Sequence, residues 1–368
     1  MEGISLRSGS LYYASDKALF DALNQHKFTK QNIQKLFFRR GMIVSNVTEK
    51  ERLSEHFCRL THDYHDHQTI SSIFNSSSKR EKISIISIEN KIDEDKIEEV
   101  LESLQEEIEE NEGVMVVSNI EEGFSINLKY RIIDYNKSEF KQVSDKTAHI
   151  TIEQEGDNWT IRGPQNNFVD DNIKDKFLDK IGEELSDDLN ISEINLTGVV
   201  SPKKRTEFFK KLINNIDGYT LVNVSDVYVF HPREDEEMDE ETESEDNPDL
   251  GIHIKKASLK GEKVLLSEEL QSLYEKDFYI SKVIWTIEST NNPTDIYELE
   301  AQFSNPENCT GFSYLIRGFY KYQSEGDYHN KSKINVSAEE EKKFSKLLEN
   351  AAEKALVEVS KESDEIEG

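Results

Sequence analysis

The chain of 368 residues carries 45 Lys and Arg against 74 Asp and Glu, a formal charge of −29, with 35% apolar residues. That length exceeds what one hydrophobic core usually supports, so two or three domains are expected. The charge opposes unaided non-specific binding to nucleic acid over most of the surface, and the apolar content excludes disorder throughout.

No window of about eighteen uncharged apolar residues occurs, which excludes a membrane-crossing helix. Met1 to Arg7 lacks the apolar stretch that opens a secretory signal. Cys58 and Cys309 are too few for a disulfide framework or a cysteine zinc site. The reading is a cytoplasmic protein with reduced thiols and no cofactor. Charge is unevenly spread. Residues 1–82 hold thirteen Lys and Arg against nine Asp and Glu, so the excess of acid lies beyond them. Such asymmetry hints at a polyanion contact confined to one module, although a mildly basic segment also arises without one.

In chain order, Ser15 caps a helix bearing Leu19, Ala22 and Leu23, and Thr29 caps a second with Ile33, Leu36 and Phe37 inward, ending at Gly41. Thr48 with Glu51 forms a capping box for a third helix carrying Leu53, Phe57 and Leu60. These helices form a small basic module over 1–75. Ile83 to Ile88 is a strand, Asp93 to Glu112 an amphipathic helix, and Val114 to Val117 and Phe124 to Ile133 are strands. His149 to Glu153 and Trp159 to Arg162 make a hairpin. A helix over about 171–185, a strand at Glu193 to Val200, a helix opened by Ser201 and Pro202, and a strand at Val222 to Phe230 complete an α+β domain over 80–233.

Glu234 to Asp249 holds eleven carboxylates in sixteen residues and reads as an acidic linker, with a tail that competes with nucleic acid as the functional counterpart. Strands at Leu250 to Lys255, Val283 to Glu288, Tyr297 to Phe303 and Phe312 to Tyr322 follow it. With a short helix at Ser267 to Tyr274 and a final helix capped by Ser337 and Glu340, they make a second α+β domain over 250–368. The expected fold class is therefore α+β, a helical module followed by two domains with mixed or antiparallel sheets.

Residues 33–60 carry the most specific local pattern. Ile33-Gln34-Lys35-Leu36-Phe37-Phe38-Arg39-Arg40-Gly41-Met42-Ile43-Val44-Ser45, continued by Leu53, Phe57 and Leu60, resembles the SAP motif, a helix-extended-helix module. Asn46 stands where that family has Gly, and Asn tolerates the left-handed turn. The resemblance implies DNA binding, with Arg39, Arg40, Lys50 and Arg52 facing phosphates near the free N–H groups of the third helix. Two other readings stay open here: a helix-turn-helix relative, and a packing or partner-docking module without nucleic acid.

Other clusters weigh less. His56, Cys58, His62, Asp63, His65, Asp66 and His67 gather within twelve residues. His62 and His65 at i, i+3 could share a metal with Asp66, but no second ligand set follows, and a polar surface turn after a helix is the favoured explanation. Glu89-Asn90-Lys91 after a strand has the form of half a metal-dependent nuclease site, with Asp66 as the only nearby upstream candidate for its second carboxylate. Lys203, Lys204 and Arg205 at a helix start oppose the helix dipole, as an anion site or as partners of acidic neighbours. No Gly-rich phosphate loop, nucleophile elbow or His-Glu-x-x-His motif occurs.

The expected function is a non-enzymatic nucleic-acid-binding accessory protein. Its basic module would touch DNA through Arg39, Arg40, Lys50 and Arg52, and more weakly through Lys203, Lys204 and Arg205. Its acidic domains would bind a protein partner or a second copy, with no membrane contact. The composition, high in Lys, Asn, Ile and Glu, resembles that of accessory subunits of prokaryotic operons such as those against phage. The alternatives are a nuclease using Glu89 and Lys91, and an acidic DNA mimic that occupies the basic groove of a partner.

Overall fold

Ser15 Oγ accepts the Ala18 amide at 3.2 Å and Thr29 Oγ1 accepts that of Asn32 at 3.3 Å, which fixes the starts of α1 (Asp16–Asn24) and α2 (Lys30–Arg39). In this computed structural model the described residues are 14–75, 80–111, 113–185, 188–232, 255–290 and 294–364. Gly41 follows α2 with φ +73, the left-handed turn that ends many helices. α3 (Lys50–Cys58) begins one residue later than the expected capping box. Its N-cap is Glu49, without a side-chain cap bond, because the Thr48 amide is spent on a turn to Ser45 O. Asn46 does not take the left-handed conformation.

A fourth helix, α4 (Tyr64–Asn75), was not expected. Asp63 Oδ1 accepts the Asp66 amide at its start, and His67, Ile70, Ser71 and Phe74 are buried along it. Its polar, His-rich first turn hides the apolar period. Leu19, Leu23, Phe28, Ile33, Leu36, Phe37, Leu53, Phe57, Ile70 and Phe74 form one core with Phe140.

The described chain divides into two compact units, residues 1–81 with 88–190, and residues 82–87 with 191–368. This corrects the expected boundaries. The helical module is no separate satellite, since Ser71 Oγ donates to Phe140 O at 2.9 Å and Asn75 Nδ2 to Val143 O at 2.9 Å within the first unit. The division between the units falls after residue 190, not in the acidic run Glu234 to Asp249, which lies outside the described residues.

In the first unit, α5 (Glu94–Glu110) precedes an antiparallel sheet in the order β2 (Val114–Ile120), β3 (Gly123–Ile133), β4 (Val143–Glu155) and β5 (Asn158–Pro164). The short α6 (Asn167–Val169) runs through a π-turn at 170–174 into α7 (Asp175–Glu184), so the expected helix starts irregularly. Glu107 of α5 pairs with Lys176 and Lys180 of α7, and these bonds hold its carboxyl below its ordinary value.

In the second unit the expected strand at 193–200 is absent beyond β6 (Ile191–Ser192). Ile194, Leu196 and Val199 are buried as irregular chain, with the Leu196 amide bonded to Cys309 O. An apolar run reads as a strand, but nothing in its sequence supplies a neighbouring strand. α8 (Pro202–Asn214), β7 (Tyr219–Phe230), β8 (Lys256–Lys260), α9 (Glu268–Tyr274), β9 (Tyr279–Ser289), β10 (Ile296–Asn305), β11 (Thr310–Tyr320) and α10 (Ala338–Asp364) follow.

The strand order here is β1 (Ile83–Ile88), β11, β10, β9, β7 and β8, and these pairs are antiparallel. Phe208, Phe209, Leu270, Phe344, Leu348 and Ala355 of α8, α9 and α10 share a core with Trp285, Leu299, Ala301, Tyr314 and Ile316, so the three helices cover one sheet face. The capping box at Ser337 and Glu340 forms as expected. The chain is α+β, and no described helix is long and apolar enough to cross a membrane.

Candidate nucleic-acid interface

α2 buries Ile33, Leu36 and Phe37 and turns Gln31, Lys35, Phe38 and Arg39 outward, as its 3.6-residue period requires. Beyond Gly41 the chain continues without regular structure, through a turn at Ser45 to Thr48, and is tied back to the helix. Lys30 Nζ donates to Asn46 O at 2.5 Å and Gln34 Nε2 to Asn46 Oδ1 at 3.0 Å. This strap leaves apolar side chains in water: Phe38 is 72% exposed, Ile43 90% and Val47 89%.

Residues 22–48 contain no Asp or Glu, whereas the chain average would place about five there. Five cations fall in the same stretch: Lys27, Lys30, Lys35, Arg39 and Arg40. The gap between Asp21 and Glu49 is the signal that a count over 1–82 averages away.

The expected contact residues fare differently. Lys35 and Arg39 are exposed, Arg39 with Nη1 donating to Thr69 Oγ1 at 2.5 Å. Arg40 is turned inward, where it pairs with Asp66, contacts His62 Nδ1 at 3.2 Å and lies 5.0 Å over the Phe57 ring. Lys50 Nζ donates to Gln25 O at 2.9 Å, and partial burial lowers its pKa. Arg52 is exposed on α3 beside Glu49, Glu51 and Glu55. Those acids satisfy the helix dipole and compete with phosphate for the free N–H groups.

Lys203 is exposed and Lys204 half-buried at the start of α8. Arg205 is 9% exposed and spent internally. Its Nε donates to Val199 O at 2.7 Å, and its Nη1 to Tyr279 Oη at 2.8 Å and Glu307 O at 3.0 Å. It offers nothing to an external phosphate.

The histidine cluster is dispersed by α4. Asp66 is committed to Arg40, and among the described residues no group of three His, Cys, Asp or Glu is arranged to hold a metal. Glu89 Oε2 accepts from Asn190 Nδ2 at 2.9 Å, and Asp66, the carboxylate a nuclease reading would add, stands on a helix and not a strand.

His67 is buried against the Phe140 ring, 4.7 Å between centroids, and desolvation holds its pKa below the ordinary 6.5. The folded state therefore keeps the neutral ring, while the unfolded chain takes up a proton near 6.5. Its contribution to stability is present above that value and lost as pH falls through it. Lowering pH from about 7.5 to about 5.5 should reduce the urea midpoint, and His67→Phe should reduce it less. Equal losses in both proteins would exclude His67 as the cause. No protein-family model matches this sequence, and no curated protein is similar to it.

Proposed function

We propose that the α2 and strap surface is a nucleic-acid contact, with Lys35 and Arg39 at its centre and Lys30 and Arg52 adding to the field. The observation that carries it is the acid-free stretch 22–48, whose outward side chains include Lys27, Lys35 and Arg39 and no carboxylate, in a chain of charge −29. Repulsion by the rest of the protein makes such a local reversal useful only against a polyanion or a strongly acidic partner. Phosphate contacts of this kind give affinity without sequence choice.

The test is fluorescence anisotropy of a labelled duplex of mixed sequence against the full chain at several salt concentrations. Affinity should fall steeply with salt, and Lys35→Glu with Arg39→Glu should weaken binding about tenfold or more. Binding that ignores both salt and charge reversal removes the proposal.

The bare apolar side chains favour a second reading, docking of a protein with an apolar centre and acidic rim. Phe38→Ala with Ile43→Ser would then abolish that interaction, while the salt dependence of duplex binding would stay as in the parent.

A further inference from the structure

Along β10, Glu298 and Glu300 alternate with Leu299 and Ala301, which point into the helix-covered core. The two carboxylates therefore lie on the opposite sheet face of the second unit. Four cations from separate segments converge on them. Lys282 of β9 and Lys82 beside β1 approach the same oxygen, Glu300 Oε1, at 2.7 and 3.4 Å. Arg317 of β11 spans both acids, Nη1 to Glu300 Oε2 at 2.7 Å and Nε to Glu298 Oε2 at 2.7 Å. Lys333 reaches Glu298 Oε2 at 2.5 Å, and Tyr320 Oη donates to Glu298 Oε1 at 3.1 Å.

This arrangement is built by the backbone. The register of β10 on β11 slips between Glu298 and Leu299, leaving Arg317 as the extra residue of a bulge, a device that re-aims one side chain. The next residue, Gly318, has φ +128, and a Cβ there would stand 2.4 Å from Ile334 O. Its bareness lets Phe319 and Ile334 exchange backbone bonds of 2.9 Å each, which delivers Lys333 to the cluster.

The charges do not balance. Two cations would neutralise two carboxylates, yet four are present, and no further carboxylate among the described residues pairs with them. The carboxylates lie underneath, Glu300 with 5% of its side chain exposed, while the cations form the more open layer above. Burial lowers the Lys82 pKa, and Lys282 and Arg317 push it the same way against the pull of Glu300. A network serving only to join strands would not need this surplus in a chain with 74 acids.

We propose that this sheet face binds a phosphate group, with Lys82, Lys282, Arg317 and Lys333 as donors. A phosphate carries about −1.5 to −2 at neutral pH, which matches the uncompensated pair of charges. Arginine also keeps donors beyond the two it spends on the acids. The phosphate could be that of a small molecule or of a nucleic-acid backbone, and the experiment separates the two.

Melting temperature of the full chain would be compared in sodium pyrophosphate and in sodium chloride of equal ionic strength, then with an oligonucleotide lacking terminal phosphates. Pyrophosphate should raise it by a few degrees over chloride. Lys82→Met with Lys282→Met should erase the rise, and Lys35→Glu with Arg39→Glu should not. Should the double variant fail to fold, Lys333→Met should still weaken pyrophosphate about tenfold.

A rise with pyrophosphate alone assigns the site to a small phosphate compound. An oligonucleotide rise that pyrophosphate competes away, and that the Lys82 and Lys282 changes remove, assigns it to a backbone. Equal melting in pyrophosphate and chloride, or a rise that survives every change in this cluster, overturns the site and leaves the helical-module proposal standing.

Discussion

Arg205→Ala should destabilise the protein by about 3 kcal/mol, because it strands the buried acceptors Val199 O and Tyr279 Oη, at about 1–3 kcal/mol for each such group. The guanidinium joins Val199 O, Glu307 O and Tyr279 Oη, and its carbon lies 4.8 Å from the centre of the Tyr279 ring. Tyr279 Oη in turn donates to Pro306 O at 2.7 Å, so one planar fork fastens the turn after β10 to the segment before α8. Arg205→Lys should recover little, since a single ammonium cannot span three acceptors. Lys203→Ala, two residues away and exposed, should change stability by less than about 0.5 kcal/mol. Chemical denaturation of the three variants checks this. Equal effects at 203 and 205 would mean that the internal network contributes nothing.

Gly318→Ala should be comparably harmful, at about 1–3 kcal/mol of backbone strain with a steric clash added. The new methyl would meet a backbone oxygen, which cannot swing away as a side chain could. The segment around Lys333 must then leave the β11 edge. Limited trypsin digestion should cut at Lys331 or Lys333 faster in the variant than in the parent. Unchanged digestion would show that the segment around Lys333 is held by something other than the Phe319 and Ile334 pairing.

What the sequence revealed follows from the range of each interaction. Caps act over three residues, so Ser15, Thr29 and Ser337 were legible, as was Ile83 to Ile88 with its flanks of polar residues. Thr48 misled because a turn to Ser45 competed for the same amide, a choice that local pattern does not decide. Arg205 looked like its neighbours Lys203 and Lys204, and only the fold shows that its position on α8 faces Tyr279.

The partition into units was misjudged for a similar reason. An acidic run marks where chain cannot be buried, but it does not reveal that the strands on either side pair with each other. The cations at 82, 282, 317 and 333 share no spacing at all. They become neighbours only once the strands between them are ordered, and the one local sign was the alternation of acid and apolar residues along β10.

The pairing of β7 with β8 bears on how this protein can vary. Phe230 faces Lys256 in the ladder, and the His231 amide bonds Lys255 O at 3.1 Å, so the stretch between them leaves and re-enters at one clamped gate. Closing a longer or shorter excursion from such a gate changes the entropy only logarithmically, about 0.6 kcal/mol for each doubling. A change in the length of chain between those two strands should therefore cost the β7–β8 ladder little in closure entropy.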